Sequence, residues 1–201
     1  MSELQPDELD LLVRRFKDAT RERMKRLRLA TPREALRARS SRIAAGVREL
    51  PEFTRARTVL SYVSVQGEAD TSSLEDDVRA RGGRWILPRV EGERLALHVI
   101  PKGAVLRPGA FGIPEPSPDL PEVAPEEVDF VLVPALAVDE QGHRIGWGGG
   151  FYDRTLPSLS CAFRCAVVYD FQLLAEVPSA AHDAAMDAVV SENARWSLGR
   201  E

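Results

Sequence analysis

Apolar residues recur every three or four positions near the N-terminus, where Leu9, Leu12, Val13, Phe16, Met24 and Leu27 share one face of a helix expected over about residues 7–29. A second face of that helix carries Arg14, Lys17, Arg21, Lys25 and Arg28 at the same spacing, which lines them up as a basic stripe. Thr31-Pro32-Arg33-Glu34 has the form of a capping box with proline at the first helical position. It predicts a second amphipathic helix with Leu36, Ile43, Val47 and Leu50 on its apolar edge, ended by Pro51. The period then changes. Residues 58–63, TVLSYV, are β-branched and aromatic enough for a strand, and they open into a polar stretch, residues 66–71, that places Glu68 at the strand's carboxyl end.

Residues 72–81 read as a helix closed by Gly82-Gly83, followed by short strands at 84–88 and 94–99. Between residues 101 and 125 lie seven of the chain's fourteen prolines, which excludes a regular helix or a central strand and predicts a long ordered loop. Residues 128–139, VDFVLVPALAVD, form the continuous apolar run of a strand covered on both faces, and they lead directly into a glycine-rich loop at 142–154. Strands are expected again near 165–169 and 187–190, with a short segment around Gln172 between them. This alternation is that of an α/β layer structure.

With 201 residues, 44% of them hydrophobic and 29% charged, the chain can bury one core, and a single domain over 1–201 is expected. Its longest apolar runs fall short of the roughly 20 residues of a membrane helix. The opening MSELQPDELD has no apolar h-region, so a cytoplasmic location is expected and a membrane partner is not. Cys161 and Cys165 are too few for a disulfide framework and read as ordinary thiols. The net charge of −4 hides a basic segment, because residues 10–57 hold 15 Lys or Arg against 6 Asp or Glu. Either an anion docks there or two helices expose solvated basic faces.

The most informative local feature is Gly146-Trp147-Gly148-Gly149-Gly150, set between a buried strand and a helix starting near Tyr152. Glycines in that setting let several backbone N–H groups converge on an anion, and a phosphate site is the natural reading. The pattern is neither a P-loop nor a dinucleotide fingerprint, and the alternative is a bend needed only for tight packing. Arg144 before the loop, and Asp153 and Arg154 after it, would add cationic donors and a carboxylate for magnesium, as phosphoryl transfer requires. Alternatively, Asp153 caps the helix and Arg154 faces water.

The segment from Asp139 to Arg154, D-x-x-G-x-R-I-G-W-G-G-G-F-Y-D-R, resembles the signature of the 5-formyltetrahydrofolate cyclo-ligase family. So do Lys17 and Arg21 as K-x-x-x-R, residues 62–71 (YVSVQGEADT), residues 111–116 (FGIPEP), Gln172, Val177-Pro178, His182-Asp183 and residues 187–192 (DAVVSE). Phe151-Tyr152 stands where the family usually has Tyr-Tyr, and Val138 replaces a common Phe.

The resemblance implies a three-layer α/β/α fold with a mostly parallel sheet, Rossmann-like and similar to CoA-transferases, with the site at the strands' carboxyl ends. It implies ATP and Mg²⁺ as cosubstrate and metal, and 5-formyltetrahydrofolate, polyglutamylated or not, as the partner. ATP would be bound by Lys17, Arg21, Arg144, Gly146, Trp147, Gly148, Gly149, Gly150, Phe151 and Tyr152. Folate would be bound by Val63, Glu68 and residues Trp147 to Tyr152, with Lys17, Arg144 and Tyr152 catalytic. Asp153 and Asp183 would hold the metal. Glu115 is a further candidate, His182 has a supporting role, and His98 has none. Glu68 could instead cap the helix near Thr71. A relative that only binds RNA through its basic helices would lack the usual aromatic, GXXG or basic-tail signals here, so nucleic acid is not the expected partner. An enzyme acting on another amide stays open. The ATP reading requires the triple-glycine bend and the basic helix to meet, with one cavity joining Lys17, Gly149 and Glu68.

Overall fold

The computed structural model describes residues 6–179 and 183–199. Its helices are α1 (Pro6–Ala30), α2 (Arg33–Arg48), α3 (Pro51–Arg55), α4 (Glu75–Ala80) and α5 (Phe151–Thr155). The strands are β1 (Thr58–Leu60), β2 (Arg84–Glu91), β3 (Arg94–Val99), β4 (Arg107–Pro108), β5 (Pro114–Glu115), β6 (Phe130–Pro134), β7 (Ala137–Val138), β8 (Arg144–Ile145), β9 (Phe163–Val167), β10 (Ala188–Val190) and β11 (Arg195–Ser197). Seven of them form one sheet in the order β11-β10-β9-β6-β1-β2-β3. The inner pairings are parallel, and β3 and β11 close the two edges antiparallel.

Strand alternation sorts the core. Val59, Trp85, Leu87, Phe130, Leu132, Cys165, Val167, Ala188 and Val190 point to one face, where Ile43, Ala44 and Val47 of α2, Phe53 of α3 and Val78 of α4 cover them. Leu60, Ile86, Val131, Val133, Ala166 and Val189 point to the other, under Leu156 and Leu159 just beyond α5. These are the two helical layers over a mostly parallel sheet that the sequence led us to expect. Phe130 is sandwiched at the centre, edge-on to Phe53 with centroids 5.5 Å apart and stacked on Phe163 at 5.6 Å.

The strand order locates the site. From β1 the chain moves outward to β2, whereas from β6 it moves the opposite way to β9, so the order reverses between the neighbours β1 and β6. At such a reversal the loops leaving the two carboxyl ends diverge and open a crevice. The loop after β1 carries Glu68, and the loop after β6 leads to the glycine bend.

Several expectations are corrected. Thr31 caps nothing in α2: its hydroxyl donates back to the Leu27 carbonyl at 2.7 Å, and Pro32 takes the N-cap position without a side-chain bond. The Leu27 carbonyl also accepts from the Thr31 N–H at 3.1 Å, so the residue is held back onto the last turn of α1 rather than forward onto α2. The run 128–139 is two strands, not one, because the Ala135 and Leu136 carbonyls accept from Gln172 Nε2 at 2.9 and 2.8 Å rather than from a strand. The orientation of α1 is the reverse of its amphipathic pattern. Leu9, Leu12, Phe16 and Leu27 are exposed, Met24 is buried, and the basic stripe turns inward from Lys17 to Arg28, leaving Arg14 outside. The 101–125 segment is ordered but contains the small β4–β5 ladder and a turn of 3₁₀-helix at Ala110–Gly112.

Candidate active site

One cavity of about 650 Å³ opens at this crevice, and Lys17, Gly149 and Glu68 all line it. Arg21, Val63, Arg144, Gly146, Trp147, Gly148, Gly150, Phe151, Tyr152, Asp153 and Asp183 line it too, so every residue assigned by resemblance to ATP, folate or metal meets in one space. His182 lies outside the described residues.

Helix α1 crosses the carboxyl edge of the sheet and docks by its cations. Lys17 Nζ donates to Asp183 Oδ2 at 3.0 Å, and both side chains are largely shielded from solvent. Arg21 Nε donates to the Gly146 carbonyl at 2.9 Å, fixing the start of the bend. Gly148 (φ 100°) and Gly150 (φ 69°) are left-handed, a conformation glycine adopts without steric cost. A Cβ on Gly148 would also meet the Arg21 guanidinium at 3.5 Å. Among the described residues, no group accepts from the backbone N–H groups of Trp147, Gly148, Gly149 or Gly150. These donors can therefore serve an anion. Helix α5 is a single turn, Phe151–Thr155, so the cradle rests on these N–H groups and adjacent cations rather than on a long helix dipole.

Arg144, buried, donates through a terminal guanidinium nitrogen to Asp153 Oδ1 at 2.7 Å, and its Nε has no partner among the described residues. Arg154 does not simply face water: it stacks over the Phe151 ring at 5.0 Å and donates to the Gly149 carbonyl at 3.0 Å. The Tyr152 hydroxyl is buried without a hydrogen-bond partner among the described residues, and burial followed by the nearby Glu68 carboxylate pushes its pKa above the ordinary phenol range.

Glu68 does not cap a helix. It closes a tight turn in which Gln66 (φ 48°) and Gly67 (φ 74°) are both left-handed, and its N–H returns to the Val65 carbonyl at 3.0 Å. Its carboxylate, 5% exposed as a residue, accepts from the Trp147 indole N–H at 2.7 Å and from the Val65 N–H at 3.1 Å. Arg28 lies 3.6 Å away. Burial pushes the Glu68 carboxyl above the usual carboxylate range, and Arg28 opposes that shift most strongly.

Arg28 was legible only as part of a stripe, yet it is the bulkiest fully buried side chain and bonds to the Ala135 carbonyl where β6 ends. Its seven-residue spacing from Arg21, and four from Met24, was the available signal. Tyr62, Val65 and Gln66 of the 62–71 motif and Ile113 of the 111–116 motif also line the cavity, although no individual role was given to them. Glu115 is buried at the cavity wall, where it accepts from the Ala110 N–H at 3.1 Å and lies 3.4 Å from Arg89. It thereby pins the loop that presents Phe111 edge-on to Phe151, 5.9 Å between centroids. His98 is away from the cavity and contacts the Leu120 carbonyl at 2.9 Å. Cys161 is exposed and Cys165 buried, both free. Among the described residues no group of three His, Cys, Asp or Glu converges as a metal site, and no helix is long and apolar enough to cross a membrane.

The model of the 5-formyltetrahydrofolate cyclo-ligase family matches residues 13–192. A 5-formyltetrahydrofolate cyclo-ligase of Mycolicibacterium smegmatis is 40% identical over 142 residues, 67% of this chain and 73% of that protein. That of Escherichia coli K12 is 33% identical over 178 residues, 85% of this chain and 97% of the relative. The solved structure of 5,10-methenyltetrahydrofolate synthetase from Aquifex aeolicus superposes with a TM-score of 0.81 at 34% identity, covering 92% of this chain and 95% of that one. With a match that spans the switch-point crevice and every element around it, the chain belongs to the 5-formyltetrahydrofolate cyclo-ligase family.

Proposed function

We propose that this protein closes 5-formyltetrahydrofolate to 5,10-methenyltetrahydrofolate at the expense of ATP, releasing ADP and phosphate. The observation that carries the reading is the single cavity shared by the cationic helix, the glycine bend with its unclaimed N–H donors, and the Glu68 carboxylate. An amide oxygen is a poor leaving group. On this reading the γ-phosphoryl group passes from ATP to the formyl oxygen, N10 attacks the formyl carbon, the N10 proton is lost, and the phosphorylated oxygen leaves as inorganic phosphate.

Lys17, Arg21 and Arg144 would neutralise the triphosphate, with the Gly146 to Gly150 backbone cradling it and Trp147, Phe151 and Tyr152 bordering the transferring group. Glu68, an acceptor once ionised, would hold N–H groups of the pterin, with Val63 beside it. Magnesium fits the site without a three-carboxylate cluster, since that ion takes one or two carboxylates and completes its shell with phosphates and water. Asp153 and Asp183 would be its carboxylate ligands, and it would supply charge neutralisation at the phosphates. Their present partners, Arg144 and Lys17, would then be free to turn to phosphate oxygens. Polyglutamylated folates and a cytoplasmic location belong to the same reading.

The test mixes purified protein, Mg-ATP and 5-formyltetrahydrofolate, following the methenyl chromophore and ADP together. One ADP per chromophore is expected, with neither formed when ATP or folate is omitted. Folate-independent ADP release, or chromophore formation unaffected by ATP, would overturn the proposal.

A further inference from the structure

Glu68 is gripped by three separate elements, and the reaction as derived gives one of its partners nothing to do. Among the described residues Arg28 is not one of those lining the cavity, and the reaction as derived assigns it no contact with either cosubstrate. It is nevertheless only 2% exposed, anchored by one terminal nitrogen on the Ala135 carbonyl, with the other terminal nitrogen 3.6 Å from Glu68 Oε1. Its Cβ and carbonyl oxygen also pack against the Gly67 position, at 3.5 and 3.7 Å from where a Cβ would stand. The left-handed Gln66-Gly67 turn is thus seated directly on α1 at this residue.

We infer that Arg28 is a positioning residue: across the cavity wall it holds the Glu68 carboxylate ionised and fixed against the Trp147 indole, so that folate recognition depends on a side chain of α1 the substrate never meets. The inference rests on the proposed reaction only in taking Glu68 as the folate acceptor.

The chemistry follows from burial. A carboxylate withdrawn from water favours its neutral form unless an opposite charge lies close. The titratable groups facing Glu68 are Arg28 from α1, Tyr62 after β1 and Tyr152 of α5, while the Tyr169 hydroxyl donates to its backbone carbonyl at 3.1 Å. The phenols of Tyr62 and Tyr152 are themselves pushed upward by burial and by Glu68, so both stay neutral. That leaves Arg28 as the cation acting on the carboxylate. The two remaining interactions, the Trp147 and Val65 N–H donors, orient it without supplying charge. Arg28 is also lowered by its own burial and raised first by Glu68, so each ion sustains the other.

The test compares R28M, R28K, E68Q and R28M/E68Q with the wild type, in turnover and in binding of 5-formyltetrahydrofolate without ATP. R28M is expected to raise the folate KM roughly tenfold or more at neutral pH and leave the ATP KM within about twofold, because only the acceptor is lost. Its kcat/KM for folate climbs as pH rises and Glu68 deprotonates, and that climb lies at higher pH than in the wild type, where Arg28 opposes the upward shift. R28K recovers most of the loss. In the E68Q background R28M adds no more than about twofold, since there is no charge left to sustain. An unchanged folate KM in R28M, equal rises in both KM values with the wild-type pH profile, or a full additive loss in the double variant would make Arg28 a structural strut and overturn the inference. If R28M does not fold, comparing E68Q with R28M/E68Q, which has no buried lone charge, decides the matter. Wild-type protein that fails to cyclise would sink the proposed function instead, and the binding arm still reads Arg28.

Discussion

Replacing Trp147 with Phe isolates the bond that joins the glycine bend to the folate turn. The indole N–H donates to Glu68 Oε1 at 2.7 Å, while the ring packs under Lys25 and Arg28, 5.4 and 5.8 Å from its centroid. Phe keeps a ring between those cations and deletes only the donor. Losing a hydrogen bond to a charged group costs about 1.5–3 kcal/mol. Glu68 retains Val65 and Arg28, so the carboxylate stays in place, but Oε1 loses its hydrogen-bond donor and keeps only the Arg28 charge 3.6 Å away. If that energy is expressed in folate recognition, kcat/KM for 5-formyltetrahydrofolate falls roughly ten- to 150-fold, at about 1.4 kcal/mol per decade. The ATP KM should hardly move. Initial rates of chromophore formation with each cosubstrate varied in turn, beside a thermal melt, distinguish the outcomes. A W147F variant with unaltered folate kcat/KM and a much lower melting temperature would show the bond to be a fold contact, and the reasoning about Glu68 would fail.

Four further outcomes are expected. K17M should raise the ATP KM about tenfold or more by deleting a charge-assisted phosphate contact, with folate binding measured without ATP unaffected. G83A should destabilise by about 1–3 kcal/mol in a urea melt, because its Cβ would stand 2.8 and 2.9 Å from the carbonyl oxygens of Arg57 and Val78, which cannot yield as a flexible side chain would. A colourless aromatic disulfide reagent should titrate one thiol in the native protein and two after unfolding, since Cys161 is exposed whereas burial pushes the Cys165 thiol far above its ordinary range. R28M/E68Q should melt no lower than wild type while losing cyclisation, because removing both members of a desolvated ion pair is often neutral or stabilising by about 1–4 kcal/mol.

How much of this was written in the linear chain depends on how local each cause is. The glycine bend, the turn carrying Glu68 and the Lys17–Arg21 pair are short motifs, and all of them line one cavity. The parallel sheet follows from alternating strand and helix signals. Periodicity alone misdirects at α1, because it finds two stripes offset by one residue, Val13 beside Arg14, Phe16 beside Lys17 and Leu27 beside Arg28, without saying which the rest of the molecule will cover. Here free carbonyls at the sheet's carboxyl edge and the carboxylates of Glu68 and Asp183 select the cationic one. The break at Ala135 is equally non-local, being enforced by Gln172 from 37 residues away and Arg28 from 107. The capping box failed for the opposite reason: both the N–H and the hydroxyl of Thr31 bond back to the Leu27 carbonyl, four residues earlier. The edge strand β11 is only three residues with alternating exposure, too short to carry a pattern.

The inward turn of the basic stripe joins fold to chemistry. A guanidinium as deeply buried as Arg28, with Nε lacking a hydrogen-bond partner among the described residues, is an arrangement that stability alone does not favour. An apolar seam against the same edge would hold a helix as well. What the cations add is a single rigid rod, α1, that touches the glycine bend through Arg21, Asp183 through Lys17 and the Glu68 turn through Arg28. Transferring a phosphoryl group onto an amide oxygen demands that two bound molecules be aligned to within a fraction of an ångström, with the donor's charge offset and water kept out. Three contacts spaced along one helix fix the two subsites relative to each other in a way three independent loops could not. On the proposed function, that alignment is what the exposed leucines of α1 were given up for.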